Sequence, residues 1–376
     1  MRQIALISGD FTPLGGMDAG NHALAAYLAA RGDCEVHLIA HRIWHDLAAN
    51  ARVKFHPVKR WANSNLLSAP VLDLVARRVG RKILEQGGRV VVNGGNCRLG
   101  DVNWVHYVHA GNPPTIAGAW WRRLHGQLAY RYYLWTERRV VSSARVVIVN
   151  SRVTAGQVVQ RLGVKPERVK VVYYGCDPAR FVPVDEAQRQ AAAVRFGLPA
   201  DQPVALFVGA LGDRRKGFDS LFEAWSGLCA QPDWRAHLAV AGAGGELELW
   251  KRRAVDAGLE KRISFLGFRK DIPDLLRCGS VLVHPARYEA YGLAVQEALC
   301  AGVPAIVSKA AGVSERYPAG LNDLLMEPGA GAPDIRQSLL RWQASQHELR
   351  EAAGRLSRQL RLHTWDHMAE EIYQLL

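Results

Sequence analysis

The stretch "RYEAYGLAVQEALCAGVPAIVS", Arg287–Ser308, decides the fold. The apolar run before it, "GSVLVHPA" (Gly279–Ala286), reads as a buried strand. Gly292 to Leu299 has helical spacing and stops near Gly302, where glycine suits a helix C-terminus. "PAIVS" then reads as the next strand, so the segment is strand, loop, helix, strand, the repeating unit of a parallel sheet. A helix starting near Gly292 leaves Glu289 in the loop and Glu297 about two turns inside. At 1.5 Å per residue their backbones lie roughly 12 Å apart. Carboxylate pairs that cleave one glycosidic bond sit roughly 5–9.5 Å apart, so this pair is expected to grip different parts of one elongated ligand. The helix start adds free N–H groups suited to phosphate. Without a ligand, the same two residues read as a solvated loop acid and a surface helix acid.

Working outward, 376 residues exceed one ordinary domain and fit two, each with its own core. The opening "MRQIALISGDF" is a strand-like run without the charged region of a secretory signal, and no segment holds ~18 uninterrupted apolar residues. The six cysteines (Cys34, Cys97, Cys176, Cys229, Cys278, Cys300) show no ligand spacing, as expected of reduced, mostly buried thiols in a cytosolic chain. Net charge is +13, distributed unevenly. Residues 1–176 carry 24 Lys+Arg against 10 Asp+Glu (+14), and residues 177–376 carry 24 against 25 (−1). The first half is therefore expected to face an anionic partner: a membrane surface, an acidic substrate or nucleic acid.

Strand candidates "QIALISG", "EVHLIAH", "RVVVNGG", "NWVHYVHA", "ARVVIVNS" and "RVKVVYYG" alternate with helical stretches in the first half. The pattern breaks at "GCDPARFVPVD" (Gly175–Asp185) and restarts with "PVALFVGALG", "AHLAVAGAGG" and "RISFLGF". The expected class is α/β, with two Rossmann-like doubly wound parallel-sheet domains facing a cleft, 1–176 and 177–359, and a C-terminal helix near 360–376 returning to the first. Ligands of such sheets bind beyond the strands' C-terminal ends. There, "GALGDRRKGFDSL" (Gly209–Leu221) sets Arg214, Arg215 and Lys216 where they can neutralise a diphosphate, although the segment also reads as a solvated basic turn. "FTPLGGMDAGNHALA" places Gly15 and Gly16 after the first strand, allowing close backbone approach. "GAGGE" (Gly242–Glu246) has leucine at 247 where a dinucleotide fingerprint needs glycine, so it reads as a tight turn. His106 and His109 end a strand, where residues three apart face opposite sides; they are not a zinc pair, and no metal site is expected.

Taken together, Glu289 and Glu297 around "YGL", Lys216–Gly217, "FLGF" at Phe265–Phe268, "AGVPAIVS", the Gly-Gly loop and the closing "TWDHMAEEIYQLL" resemble a family 4 retaining glycosyltransferase of the GT-B fold over nearly the whole chain. The resemblance implies that Glu289 meets the donor sugar, that Glu297 holds the ribose, and that Tyr291, Gly292, Leu293 and Ala294 offer backbone to sugar and phosphate. Lys216 would stabilise charge on the departing diphosphate. Phe268 and Arg269 would lie beside the base, and His109, with His106 as the alternative, would face the sugar. The family's usual arginine after the first glycine of this segment is Ala210 here, and Arg214 and Arg215 are the candidates to replace it. The implied donor is a nucleotide-diphosphate sugar, with a UDP-sugar favoured over GDP-mannose, and neither cofactor nor metal is called for. The implied acceptor is a hydroxyl of a glycan or lipid-linked molecule, as in cell-surface polysaccharide or glycolipid synthesis.

Two rivals remain at this level: a GT-B-like sugar-nucleotide epimerase, which needs no acceptor, and a basic nucleic-acid-binding protein, for which no recognition motif accompanies the charge. "GAWWRRLHGQLAYRYYLWTERR" (Gly118–Arg139) repeats Trp121, Leu124, Leu128, Tyr132 and Trp135 at steps of three and four amid Arg122, Arg123, Arg131, Arg138 and Arg139. Core packing against the domain's own sheet produces such a stripe, and so does a helix lying on an anionic bilayer. With the basic first half, the expectation is a cytoplasmic protein, peripheral on the inner membrane leaflet, with a lipid-linked or otherwise anionic acceptor.

Overall fold

The computed structural model describes residues 1–61, 65–113 and 120–376, with the side chains at 65–67 and 121–122 left aside. The chain divides into two compact units, Met1–Gly175 with Trp365–Leu376, and Cys176–Thr364. Each is an α/β unit built on one parallel sheet.

The first unit's sheet has seven strands, in the order Val53–Pro57, Cys34–Ala40, Arg2–Ile7, Arg89–Asn93, Val102–Val105, Val146–Val149 and Val169–Val171. Every pairing is parallel. The apolar runs suit this because central parallel strands are covered on both faces: Val90, Val92, Val102, Val105, Val147 and Val149 are buried. One face packs Ala5, Ile7, Val90 and Val92 against Leu72, Ala76 and Ile83 of the helix Asn65–Glu85. The C-terminal helix Trp365–Tyr373 completes this unit. It buries Met368, Ala369 and Ile372 and packs against the helix Gly16–Ala30. Arg31 holds it from outside, with Nη1 2.9 Å from Glu370 Oε2 and the guanidinium 3.9 Å from the Tyr373 ring centre.

The second unit's sheet has six strands, in the order Ile263–Gly267, His237–Ala241, Val204–Val208, Val281–His284, Ala305–Ser308 and Leu325–Met326, again all parallel. Its helix Phe218–Cys229 buries Phe218, Leu221, Ala224, Trp225 and Leu228, positions at steps of three and four. The chain order reverses on either side of Val204–Val208, whose neighbours are His237–Ala241 and Val281–His284. Such a reversal opens a crevice at the strands' C-terminal ends, where ligands of doubly wound sheets bind.

The helix Trp120–Ser143 differs from a core helix. Leu124, Leu128 and Trp135 are exposed to half or more of their surface, and Trp120 is exposed beside them. On this helix the apolar stripe of the sequence therefore faces outward; only Tyr132 among its described members is partly buried. Gly118 and Ala119, with the side chains of Trp121 and Arg122, lie outside the described residues. None of the six cysteines is in a disulfide. No helix among the described residues is long and apolar enough to cross a membrane.

Candidate functional site

The loops that follow Val204–Val208 and Val281–His284 meet at the reversal of the second sheet. Arg287 N–H donates to Arg215 O (2.8 Å), and Arg287 grips Asp219 with Nη1 and Nη2 at 2.8 and 3.0 Å. Gly217 makes this approach possible. Its φ is +73°, and a Cβ there would stand 2.1 Å from Pro285 O, so no side chain fits. The junction brings Lys216 against Glu289. Lys216 Nζ donates to Glu289 Oε2, and both side chains are largely buried. His284, at the end of its strand and 2% exposed, lies 3.5 Å from the same oxygen. Burial alone would raise the Glu289 carboxyl, but His284 and Lys216 outweigh it and hold the group well below the usual carboxylate range. Burial also pulls the His284 imidazole below the ordinary histidine value, against the opposing pull of Glu289. Neither of its ring nitrogens makes a hydrogen bond within normal geometry among the described residues, the 3.5 Å to Glu289 being an ion-pair distance.

Gly292 begins the helix Leu293–Cys300. With φ +105° it turns the chain sharply from the Glu289 loop, and a Cβ there would come within 3.0 Å of Val313 Cγ1. Glu289 O and Tyr291 O accept from Gly312 N (3.2 Å) and Val313 N (2.7 Å), which fixes the loop ahead of the helix. The first N–H groups of the helix have no partner within it. Tyr291 is buried, and its hydroxyl bonds Gln296, so Tyr291 contributes backbone here. Glu297 is partly buried on the same helix. Desolvation pushes its carboxyl up to about 7, with Arg180 acting weakly in the other direction.

The cations expected to assist are already engaged. Arg214 reaches Glu246 (3.2 Å) and Asp219 (3.5 Å), and Arg215 folds onto Asp213 (2.9 Å). Phe268 is exposed at the end of its strand, while Arg269 pairs with Asp271 and covers the Phe196 ring at 5.0 Å.

In the first unit, Gly15 (φ +88°) and Gly16 open the helix Gly16–Ala30, and among the described residues nothing beyond the adjoining backbone lies within 4 Å of where either Cβ would stand. The two histidines differ sharply. His106 is buried under Trp104 and held in a polar network by Asn93 (2.7 Å) and Tyr174 (2.5 Å). Burial lowers its imidazole to about 3. His109 lies on a single 3-10 turn, its side chain 41% exposed. Beneath it sits Glu137, 28 residues away. His284 and Glu137, like Arg287, Asp219, Asn93 and Tyr174, are polar groups of these sites that sequence reading did not single out. A histidine closing an apolar strand run is a usable signal for the first; nothing in sequence spacing pairs Glu137 with His109. Among the described residues, no three His, Cys, Asp or Glu side chains are grouped to hold a metal ion.

The model of the family "Glycosyltransferase Family 4" matches residues 14–180, and that of "Glycosyl transferases group 1" matches residues 188–359. The chain is 30% identical over 251 residues to the mannosylfructose-phosphate synthase of Agrobacterium fabrum, covering 63% of this chain and 54% of that protein. It is 32% identical over 201 residues to D-inositol 3-phosphate glycosyltransferase 1 of Catenulispora acidiphila, covering 51% and 47%. The chain thus spans about half the length of the curated relatives it matches. Among solved structures, WaaG, a glycosyltransferase involved in lipopolysaccharide biosynthesis, is similar with a TM-score of 0.77 at 18% identity, covering 99% of both chains. HepE of Anabaena, solved in complex with UDP-glucose, is similar with a TM-score of 0.71 at 17% identity, covering 100% of this chain and 99% of that one. Two matched family regions, two parallel-sheet units and these neighbours together make the chain a member of the family 4 glycosyltransferases of the GT-B fold.

Proposed function

We propose that the protein is a retaining, metal-independent glycosyltransferase that moves a sugar from a nucleotide-diphosphate sugar, preferentially a UDP-sugar, to a hydroxyl of a glycan or lipid-linked acceptor. The observation that carries this reading is the junction of Lys216, Glu289 and the Gly292 helix start at the sheet's reversal. A cation, an acid and free N–H groups converge where a diphosphate and its sugar would lie. In this reading Lys216 stabilises charge developing on the leaving diphosphate, Glu289 meets the sugar hydroxyls, and Glu297 accepts from the ribose. The leaving phosphate takes the acceptor's proton as the new bond forms on the same face. HepE, crystallised with UDP-glucose, supports the choice of base. A thermal-shift screen of nucleotide sugars tests the donor: a ligand at ~100 times its Kd adds about 2.7 kcal/mol. The protein is then assayed for release of the nucleoside diphosphate. No stabilisation by any nucleotide sugar and no release would sink the reading, and acceptor-free epimerisation of UDP-GlcNAc would replace it.

The first unit is the acceptor side in this reading, and it meets an anionic inner-leaflet surface. Support comes from the exposed face of the helix Trp120–Ser143, where Trp120, Leu124, Leu128 and Trp135 stand among Arg123, Arg131, Arg138 and Arg139. Apolar and aromatic side chains bordered by cations suit the boundary between headgroups and acyl chains. Liposome flotation tests it: binding requires anionic lipid and fades with salt, and indifference to phosphatidylglycerol vesicles at low salt overturns it.

A further inference from the structure

The turn that carries His109 is built around a single buried acid from a distant helix. Glu137 lies on Trp120–Ser143, and its side chain is 2% exposed. Its Oε1 accepts from the His109 backbone N–H (2.8 Å) and lies 3.1 Å from His109 Nδ1; its Oε2 accepts from Ala110 N–H (3.2 Å). Among the described residues the only ion-pair partner of this buried carboxylate is His109. The imidazole is clamped on two sides as well. It stacks on Tyr133, one turn before Glu137 (centroids 5.2 Å, 23° between planes), and meets Tyr107 edge-on at 5.0 Å. Tyr130 Oη donates to His109 O (3.1 Å), closing the turn from the same helix.

The proton on the ring follows from this arrangement. Both carboxylate oxygens accept backbone N–H groups, the arrangement that suits an acceptor-only carboxylate. Against such an acceptor Nδ1 is the donor. A neutral imidazole with its proton on Nδ1 carries a lone pair on Nε2, for which no partner exists among the described residues.

We propose that Glu137 is a positioning residue of the transfer site: it selects the Nδ1–H tautomer of His109 and leaves Nε2 as a hydrogen-bond acceptor for a sugar hydroxyl. The proposal rests on the reading of His109 as the histidine that faces the donor sugar, and it adds the residue that prepares it. A carboxylate 2% exposed thus stands where water would otherwise partner Nδ1 of a half-exposed ring.

The test is long-range 1H–15N correlation of the imidazoles in the full chain, with His109→Gln identifying the signal. The expected wild-type pattern is a protonated Nδ1 and a bare Nε2. In Glu137→Gln the amide can donate to Nδ1, so the pattern moves toward Nε2–H. Transfer then falls on the order of ten-fold or more in kcat/KM, because an acceptor facing a hydroxyl has become a donor. Glu137→Asp keeps an acceptor-only group and is expected to recover the Nδ1–H pattern and part of the rate. An Nε2–H ring in the wild-type protein, readable even if the Gln variant fails to fold, overturns the proposal. So does a Gln variant that keeps the native tautomer. A native Nδ1–H pattern together with a fully active His109→Gln variant instead overturns the role of His109 in transfer, leaving the hold by Glu137 a matter of structure alone.

Discussion

Glu297→Gln separates what that acid does for folding from what it does for the ligand. The carboxyl is raised from 4.5 to about 7 because burial disfavours its charged form, and Arg180 compensates only weakly. The sign follows from proton binding. Between these two values the folded protein holds the proton more tightly than the unfolded chain, so stability falls as pH rises through that window. A shift of this size corresponds to about 3 kcal/mol at 1.36 kcal/mol per unit, and less to the extent that water reaches the partly exposed group. Glutamine keeps the shape and carries no charge to desolvate, so the variant gains nearly this full amount at pH 8, and under about 1 kcal/mol at pH 5. Domains of roughly 150–250 residues move by about 2–4 °C per kcal/mol, so the expected rise in Tm at pH 8 is on the order of 6–12 °C. The assay is paired thermal melts of wild type and variant from pH 5 to 8.5, with nucleotide-sugar affinity measured on the same samples. Donor affinity is expected to fall by roughly 1.5–3 kcal/mol as a charge-assisted bond to the ribose is lost. Equal melts at every pH, or a variant less stable at pH 8, would show that the carboxylate is already paid for by contacts in the free protein and would refute the reasoning.

Four further outcomes are expected. Glu289→Gln nearly abolishes transfer while nucleotide binding survives, because this side chain meets the sugar and not the base; wild-type turnover by the variant sinks that role. Lys216→Ala lowers kcat more than donor affinity if the cation acts on developing charge, and a pure affinity defect in isothermal titration argues against it. Gly217→Ala destabilises by about 1–3 kcal/mol or more, since alanine must adopt φ +73° and displace Pro285 O, and an unchanged Tm would contradict the loop geometry. Replacing Arg131, Arg138 or Arg139 by alanine weakens binding to phosphatidylglycerol vesicles by about 1 kcal/mol each, close to five-fold, and unaltered flotation of the triple variant counts against a bilayer partner.

The strands were legible because parallel strands covered on both faces leave continuous apolar runs, and "VALFV", "HLAVA" and "VLVH" fall where such runs are densest. The start of the helix Leu293–Cys300 was legible because a glycine stands where the chain needs φ +105°. Pairings between distant residues were not. Lys216 and Glu289 are 73 residues apart, and nothing in spacing says that their loops cross. The close approach is written only in Gly217, whose Cβ would strike Pro285 O. The helix Trp120–Ser143 shows a different limit. Its apolar period is the same for a core-facing and an outward-facing stripe, so the pattern could not say which, and exposed Leu124, Leu128 and Trp135 answer the question. The different surroundings of His106 and His109 were likewise invisible in spacing: both end the same run, and only the first is sealed under Trp104.

The ion pair of Lys216 with Glu289 bears on how such a site stays intact without its ligand. Two charges placed side by side for a diphosphate and a sugar would each be left uncompensated in the empty protein, and each would cost several kcal/mol if buried alone. Set against one another they neutralise, and the buried ring of His284, its imidazole lowered by desolvation, lies 3.5 Å from the same carboxylate oxygen. A diphosphate entering at the Gly292 helix start would compete for the lysine with two negative charges where the glutamate offers one. Exchange of partners would then release the glutamate toward the sugar hydroxyls at the moment the lysine turns to the leaving group. The pair therefore makes donor binding and the readiness of Glu289 a single event under the proposed reading. It also explains why the loops bearing them must be joined so closely, by Gly217 against Pro285 and by Arg287 across to Arg215 and Asp219.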